Sequence, residues 1–221
     1  MLAARAGISE ASVVLDLCSG LGGPARYLAW RFGSPVVGVD ITSSRVEGAA
    51  RLTEIAGLSS LVRFVEAETT ELPFAAGNFS ACIGQEAFVH IADKTRLFSE
   101  CRRVLRPGGV LAFTDWSATS RLSSRERGVL ERGFVADGLV TGEEYRRALE
   151  RAGFTGVRIE DLTKEWAAIL PRRLEMYRSL HAETVARFGK DHYDEYDRNY
   201  VLFVQLVEAR KLGGSRTRGI R

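Results

Sequence analysis

The sequence is poor in the residues that build metal sites and extracellular cross-links, with three cysteines and three histidines among 221 residues. Cys18, Cys82 and Cys101 are odd in number, far apart and set in apolar segments, unlike the paired spacings of a secreted disulfide scaffold. A reducing, cytoplasmic setting is therefore expected. His90, His181 and His192 make no ligand spacing with one another or with the cysteines, so no metal site is expected. Long apolar runs are missing too: no stretch approaches the ~18 uninterrupted apolar residues of a membrane span. No apolar segment follows a basic start at the N-terminus, and no membrane association is expected. Internal repeats and low-complexity tracts are absent. So is an excess of one charge: 31 basic residues stand against 28 acidic ones, scattered along the chain for a net +3. Arginine greatly outnumbers lysine, yet no basic stripe forms that would neutralise a phosphate backbone, which argues against nucleic acid as a partner.

What is present suits one folding unit, 1–221, since 45% hydrophobic residues in a chain of this length can fill a single core. Short β-branched runs alternate with helical patterns: V-V-L-D-L from Val13, V-V-G-V-D from Val36 and L-V-R-F-V from Leu61. F-S-A-C-I-G from Phe79 and V-L-A-F-T-D from Val110 follow. All five read as apolar on both faces, which predicts an α/β fold with a doubly wound, mostly parallel sheet. Pro24 suits the first turn of a helix, Ser43 and Ser44 can cap the next, and Gly57 can close it. A helix over Asp93 to Leu105 is expected to end at Pro107-Gly108-Gly109, the turn into the fifth strand. Residues 12–116 form the expected core. Residues 117–221 are expected to add helices over 122–135, 141–152, 165–188 and 193–212, with one strand from Val157. Pro171 reads as a helix start or kink. The final R-T-R-G-I-R after Gly213-Gly214 reads equally as an edge strand or a solvated basic tail.

The first strand runs through D-L-C-S-G-L-G-G, Asp16 to Gly23, directly into a helix. Such a loop suits nucleotide binding, because Gly20 and Gly22 let the backbone approach a ligand. Asp40, roughly 20 residues on at the end of the second strand, is placed to accept hydrogen bonds from ribose hydroxyls. Its loss is expected to weaken ligand binding while leaving unliganded stability little changed. Asp16 suits either an ammonium acceptor or a brace for the turn. Gly20-x-Gly22-x-x-Ala25 also satisfies the dinucleotide fingerprint of NAD-dependent oxidoreductases, and the loop alone leaves both readings open.

The loop together with V-G-V-D-I, F-V-E-A-E-T-T-E-L-P-F, G-Q-E-A-F-V-H-I-A-D-K from Gly84 and C-R-R-V-L-R-P-G-G-V-L-A-F-T-D from Cys101 resembles class I S-adenosylmethionine-dependent methyltransferases in order and spacing. The resemblance covers roughly Val13 to Asp115 and is nearest to small-molecule enzymes such as sarcosine/dimethylglycine N-methyltransferases. It implies a Rossmann-like methyltransferase fold with S-adenosyl-L-methionine as cofactor and a small-molecule methyl acceptor as partner. Ser19, Gly20 and Gly22 would lie against the methionine part, Asp40 on the ribose and Ile41 against an adenine face. Glu68 would accept from the adenine amino group, with solvated charge as its alternative, and the Thr69 amide would donate to a ring nitrogen. Gln85 would border the reacting methyl. Cys18 departs from a frequent glycine and Ala67-Glu68 from the commoner Gly-Asp. The resemblance also implies cofactor-covering helices before the first strand, where this sequence has only about a dozen residues.

Methyl transfer from a sulfonium is an in-line displacement that asks the protein mainly for alignment and a dry pocket. A neutral amine acceptor needs no general base, whereas an oxygen or carbon acid does. His90 is the candidate base or orienting donor, with a packing histidine as the plainer reading. Phe88, Trp116, Trp166 and Tyr177 offer ring faces to onium groups, or else form core. Arg26 would either meet a substrate carboxylate or sit ion-paired at the surface. The expected acceptor is the nitrogen of a small amine or amino acid. The alternatives are an oxygen or carbon acceptor of quinone or natural-product type, a NAD-binding oxidoreductase, and a non-catalytic cofactor-binding subunit.

Overall fold

The structure, a computed structural model, describes residues 2–221. One seven-stranded sheet organises it: β1 (Val14–Leu17), β2 (Val36–Asp40), β3 (Val62–Glu66), β4 (Phe79–Gln85), β5 (Leu105–Ala118), β6 (Thr155–Asp161) and β7 (Leu212–Ile220), in the order β3-β2-β1-β4-β5-β7-β6. The first five are parallel, and β7 runs antiparallel between β5 and β6. Strand order reverses between β1 and β4, so their carboxyl ends frame the crevice in which open α/β sheets bind ligands.

The helices are α1 (Leu2–Arg5), α2 (Gly23–Phe32), α3 (Ser43–Ile55), α4 (Lys94–Val104), α5 (Ser124–Phe134), α6 (Gly142–Arg151), α7 (Thr163–Ser179), α8 (His181–Phe188) and α9 (Lys190–Glu208). Alternate strand residues go to opposite faces. Val14, Val36, Ile83 and Ala112 therefore pack on one face with α1 and α2, while Leu15, Val37, Cys82 and Phe113 meet α4 and α6 on the other. Every residue of β1 and β2 is buried, as strands covered on both faces require. A third apolar cluster joins α5, α7 and α9 to the ends of β5 and β7 through Leu130, Leu174, Phe203 and Leu212. Capping boxes at Ser123/Glu126 and Thr141/Glu144 start α5 and α6.

Several expectations are corrected. β3 is an edge strand with Arg63 and Glu66 exposed, so it is not apolar on both faces. Pro107-Gly108-Gly109 does not precede β5 but bulges within it: the β4 register jumps from Phe79↔Leu105 to Ala81↔Val110. A Cβ on Gly109 would stand 2.8 Å from the Arg106 carbonyl oxygen. Thr42, not Ser43 or Ser44, is the cap residue of α3, while Gly57 follows its end in the left-handed region at φ 68°. Of the two readings of Pro171 the start is excluded, since it lies inside α7, and the single helix expected over 165–188 is divided at Leu180. The R-T-R-G-I segment is neither edge nor tail. It belongs to β7, an interior strand that begins before the two glycines. Those glycines admit α7: a Cβ on Gly213 would meet Thr163 Oγ1 at 2.2 Å and one on Gly214 the Trp166 ring at 2.5 Å.

Candidate active site

The loop from β1 to α2 is shaped by three left-handed residues, Cys18 at φ 53°, Gly20 at 53° and Gly22 at 74°. Cys18 thus takes a backbone conformation that suits glycine. Two backbone bonds fold the loop: Ser19 N–H donates to the Val39 carbonyl at 2.9 Å and Gly22 N–H to the Ser19 carbonyl at 2.8 Å. Gly20 faces open space where a Cβ would stand, as a ligand-facing position should. At Gly22 the left-handed φ is joined by tight packing, since a Cβ there would stand 2.3 Å from the Phe64 ring.

Asp40, buried at the end of β2, ties this loop to the next. Its Oδ2 accepts from Gly20 N–H at 2.9 Å and its Oδ1 from Thr42 N–H at 3.0 Å. The carboxylate therefore braces the unliganded protein, which argues against the expectation that its removal would change unliganded stability little. Arg26 is a brace as well: its Nη1 donates to the Leu21 carbonyl at 2.6 Å instead of awaiting a substrate. Asp16 is buried beneath the loop, and burial pushes its carboxyl up to about 7, offset in part by the Ala25 N–H at the start of α2. Asp16 Oδ2 and Ser19 Oγ are buried without a hydrogen-bond partner. Orphaned polar atoms of this kind are costly unless a ligand or water pairs with them.

A cleft of about 560 Å³ opens beside Asp40. Ile41, Glu68, Thr69 and His90 line it, so the structure gathers these four with Asp40 and Cys18. Ile41 is 65% exposed there, an apolar face free to take a flat ring. Burial pushes the Cys18 thiol up to about 12, with Asp40 and Asp16 adding to the effect, so it is no thiolate nucleophile. Gln85 is not brought to this cleft. Strand alternation sends it to the Ile83 side of the sheet, where it lines a second cleft with Gly23, Pro24, Tyr27 and Arg216.

His90 ends a 3₁₀ turn, Phe88–His90, and its Nδ1 lies 2.9 Å from the Val135 carbonyl oxygen. A carbonyl only accepts, so the neutral ring carries its proton on Nδ1 and keeps the Nε2 lone pair free. That turn is held from beneath by Lys94, which reading the sequence overlooked. Its buried Nζ donates to the Phe88 carbonyl at 2.8 Å, to the Gly138 carbonyl at 2.6 Å and to the Ile91 carbonyl. Burial pulls Lys94 down to about 8, against the nearby Asp115. Asp115 itself accepts from Tyr145 Oη at 2.7 Å and from Trp116 N–H at 2.8 Å, and burial pushes it up to about 7 despite those bonds.

A third cavity, of about 310 Å³, lies among Trp116, Phe134, Trp166, Tyr196, Tyr200 and Phe203, with Glu86 and Arg173 also lining it. Trp116 and Trp166 line this cavity and also pack against the apolar cluster of α5, α7 and α9. Phe88 is core against Phe113, and Tyr177 stacks on Tyr193 at 5.0 Å between helices. Among the described residues, no group of three or more His, Cys, Asp or Glu side chains could hold a metal ion, and no helix is long and apolar enough to cross a membrane.

A family described as a methyltransferase domain matches residues 15–113. Methyltransferase GfsG of Streptomyces halstedii is 30% identical over 211 residues, covering 92% of this chain and 76% of that protein. Glycine/sarcosine/dimethylglycine N-methyltransferase of Actinopolyspora halophila is 29% identical over 191 residues, covering 86% of this chain and 34% of the relative. Haemonchus contortus phosphoethanolamine N-methyltransferase 2, solved with phosphomonomethylethanolamine and S-adenosylhomocysteine, superposes with a TM-score of 0.90 at 22% identity. That match covers all of this chain and 51% of the solved one, and it shows the shared fold. The chain thus spans about a third of one curated relative and half of the solved enzyme. The dinucleotide reading rested on the glycine spacing alone and gains no support. With the methyltransferase-domain match over β1 to β5 and a relative aligned along three quarters of its own length, this chain belongs to the class I S-adenosylmethionine-dependent methyltransferases.

Proposed function

We propose that the chain binds S-adenosylmethionine across the carboxyl ends of β1 and β2 and directs its methyl group to the nitrogen of a small amine or amino acid. The observation that carries the reading is the glycine loop itself: Gly20 held open by Asp40, with Asp16 Oδ2 and Ser19 Oγ buried and unpartnered around it. An ammonium finds its acceptor in Asp16, a carboxylate finds donors in Ser19 and the loop amides, and ribose hydroxyls find Asp40. Ile41 covers one adenine face, while Glu68 and the Thr69 amide read its edge. When bound, the cofactor supplies a methyl group on a sulfonium, already activated for displacement. The chain then has to align the acceptor and exclude water, which the helices of 117–221 are placed to do within one unit, 1–221. His90 orients the acceptor through its free Nε2, and a neutral amine requires nothing more of it. N-methyltransferases among the relatives support nitrogen as the acceptor atom. The three unpaired cysteines suit a reducing, cytoplasmic setting.

The test is product analysis from isotope-labelled S-adenosylmethionine and pooled metabolites, after calorimetry with S-adenosylhomocysteine and NAD. Saturable S-adenosylhomocysteine binding and a new methyl on nitrogen support the proposal. A methyl on oxygen or carbon overturns the acceptor. Cofactor binding without any product from a broad panel identifies a non-catalytic subunit, and NAD binding alone restores the oxidoreductase reading.

A further inference from the structure

The aromatic cavity has features that core packing does not explain. Its walls come from four elements: Trp116 on β5, Phe134 on α5, Trp166 on α7, and Tyr196, Tyr200 and Phe203 on α9. Trp116 lies 4.6 Å from Phe203 and 5.7 Å from Phe134, centroid to centroid, so the rings box in a space at the small end of ligand sites. The box adjoins the candidate active site, since Trp116 is also the neighbour of His90 at 6.4 Å. Tyr200 is only 8% exposed, yet its hydroxyl is buried with no hydrogen-bond partner. Glu86, immediately after β4, holds a left-handed φ of 50°, a conformation that costs energy in a non-glycine residue and recurs at functional sites. Among the described residues neither Glu86 nor Arg173 has an ion-pair partner, although both line this one small cavity.

We propose that this cavity is the acceptor subsite and that it takes a small zwitterion, whose ammonium group lies against the ring faces and Glu86 and gives up one proton to solvent before the neutral nitrogen accepts methyl, and whose anionic end lies on Arg173 and the Tyr200 hydroxyl. The inference rests on the methyltransferase reading and deepens it by naming the pocket and the class of acceptor. Ring quadrupoles attract alkylated ammonium groups most strongly where water is excluded, and a carboxylate at the rim adds to that attraction. Burial raises the Tyr200 hydroxyl above its ordinary range and Glu86 adds to the effect, with Arg173 opposing, so the group remains a donor. An uncharged apolar ligand of the same size would leave the buried Tyr200 hydroxyl unpaired, the pattern polar sites use to reject such ligands, while the exposed Glu86 and Arg173 would keep their water.

The probes are N,N,N-trimethylglycine, its carbon isostere 3,3-dimethylbutyrate, and tetramethylammonium, each titrated into protein saturated with S-adenosylhomocysteine while tryptophan fluorescence is followed. Trimethylglycine is expected to bind at least about tenfold more tightly than either partial mimic, with the signal coming from Trp116 and Trp166. Arg173→Gln should narrow the gap between trimethylglycine and tetramethylammonium, and Glu86→Gln should narrow the preference over 3,3-dimethylbutyrate, with the ring faces and the Tyr200 hydroxyl keeping the remainder. Both variants should bind S-adenosylhomocysteine as the parent does, which controls for folding. Equal binding of the isostere overturns cation recognition, and equal binding of tetramethylammonium overturns anion recognition. Cofactor binding without any response to trimethylglycine overturns the subsite alone, whereas failure to bind S-adenosylhomocysteine overturns the cofactor reading beneath it.

Discussion

Replacing Asp40 by alanine removes both acceptors that hold the glycine loop and the start of α3, the 2.9 Å bond from Gly20 N–H and the 3.0 Å bond from Thr42 N–H. Hydrogen bonds to a charged group contribute about 1.5–3 kcal/mol each. Both amides border an open cleft and regain some water, so the variant should lose about 2–4 kcal/mol of unliganded stability, less than the full sum. For a domain of this size that corresponds to a fall in Tm of roughly 5–15 °C. Asp40→Asn should fall in between, since its amide oxygen can serve one N–H while its NH2 group faces the other. Scanning calorimetry without cofactor reads the first effect, and S-adenosylhomocysteine titration well below Tm reads the second, an affinity loss of tenfold or more, about 1.4 kcal/mol. A Tm within about 1 °C of the parent would refute the bracing argument, because it would mean that the loop keeps its shape without the carboxylate.

Lys94→Met removes one buried ammonium from three main-chain carbonyls and from the neighbourhood of Asp115, and should cost about 3–5 kcal/mol in urea unfolding; a loss under about 1 kcal/mol would show that the turn bearing His90 does not depend on it. Asp16 and Asp115 are both pushed up to about 7 from an ordinary value of 3.8, so the folded state binds more protons than the unfolded state between those limits. Their contribution to stability is fully present below pH ~4 and declines as pH rises towards 7, the reverse of a salt-bridged carboxylate. Asp16→Asn should remove part of that decline when unfolding free energies of parent and variant are compared from pH 4.5 to 8, and parallel curves would contradict the assignment.

Much of the parallel half of the sheet was legible because β1, β2 and β4 are covered on both faces and must be continuously apolar. Asp40 was legible because the distance from a glycine loop to the end of the next strand is set by one intervening helix. β7 was not, because its buried row is made of Ser215 and Thr217 and Arg216 reaches Glu160 at a neighbouring strand, a polar pattern indistinguishable from a tail. Lys94 escaped notice since lysine is almost never buried without a partner, and its partners here are carbonyls that no side-chain pattern announces. Gln85 stands in a different cleft from Asp40 because a single step of strand alternation moves a side chain across the whole sheet. The aromatic box is assembled from residues 116 to 203, and only tertiary packing reveals which rings share a wall.

The position of β7 has a consequence for biosynthesis. β5 leaves the ribosome about a hundred residues before its antiparallel partner, and β6 has no strand neighbour except that same partner. Until residues 212–220 emerge, the nascent chain carries an unpaired edge along β5 and a stranded β6, both open to pairing with other chains. Synthesis at ~5–20 residues per second keeps that edge exposed for roughly 5–20 seconds, long compared with the collapse of the α/β half already made. Folding should therefore end with a slow insertion into a preformed sheet, and conditions that retard elongation or deplete chaperones should reduce soluble yield without altering the stability of the molecules that complete it.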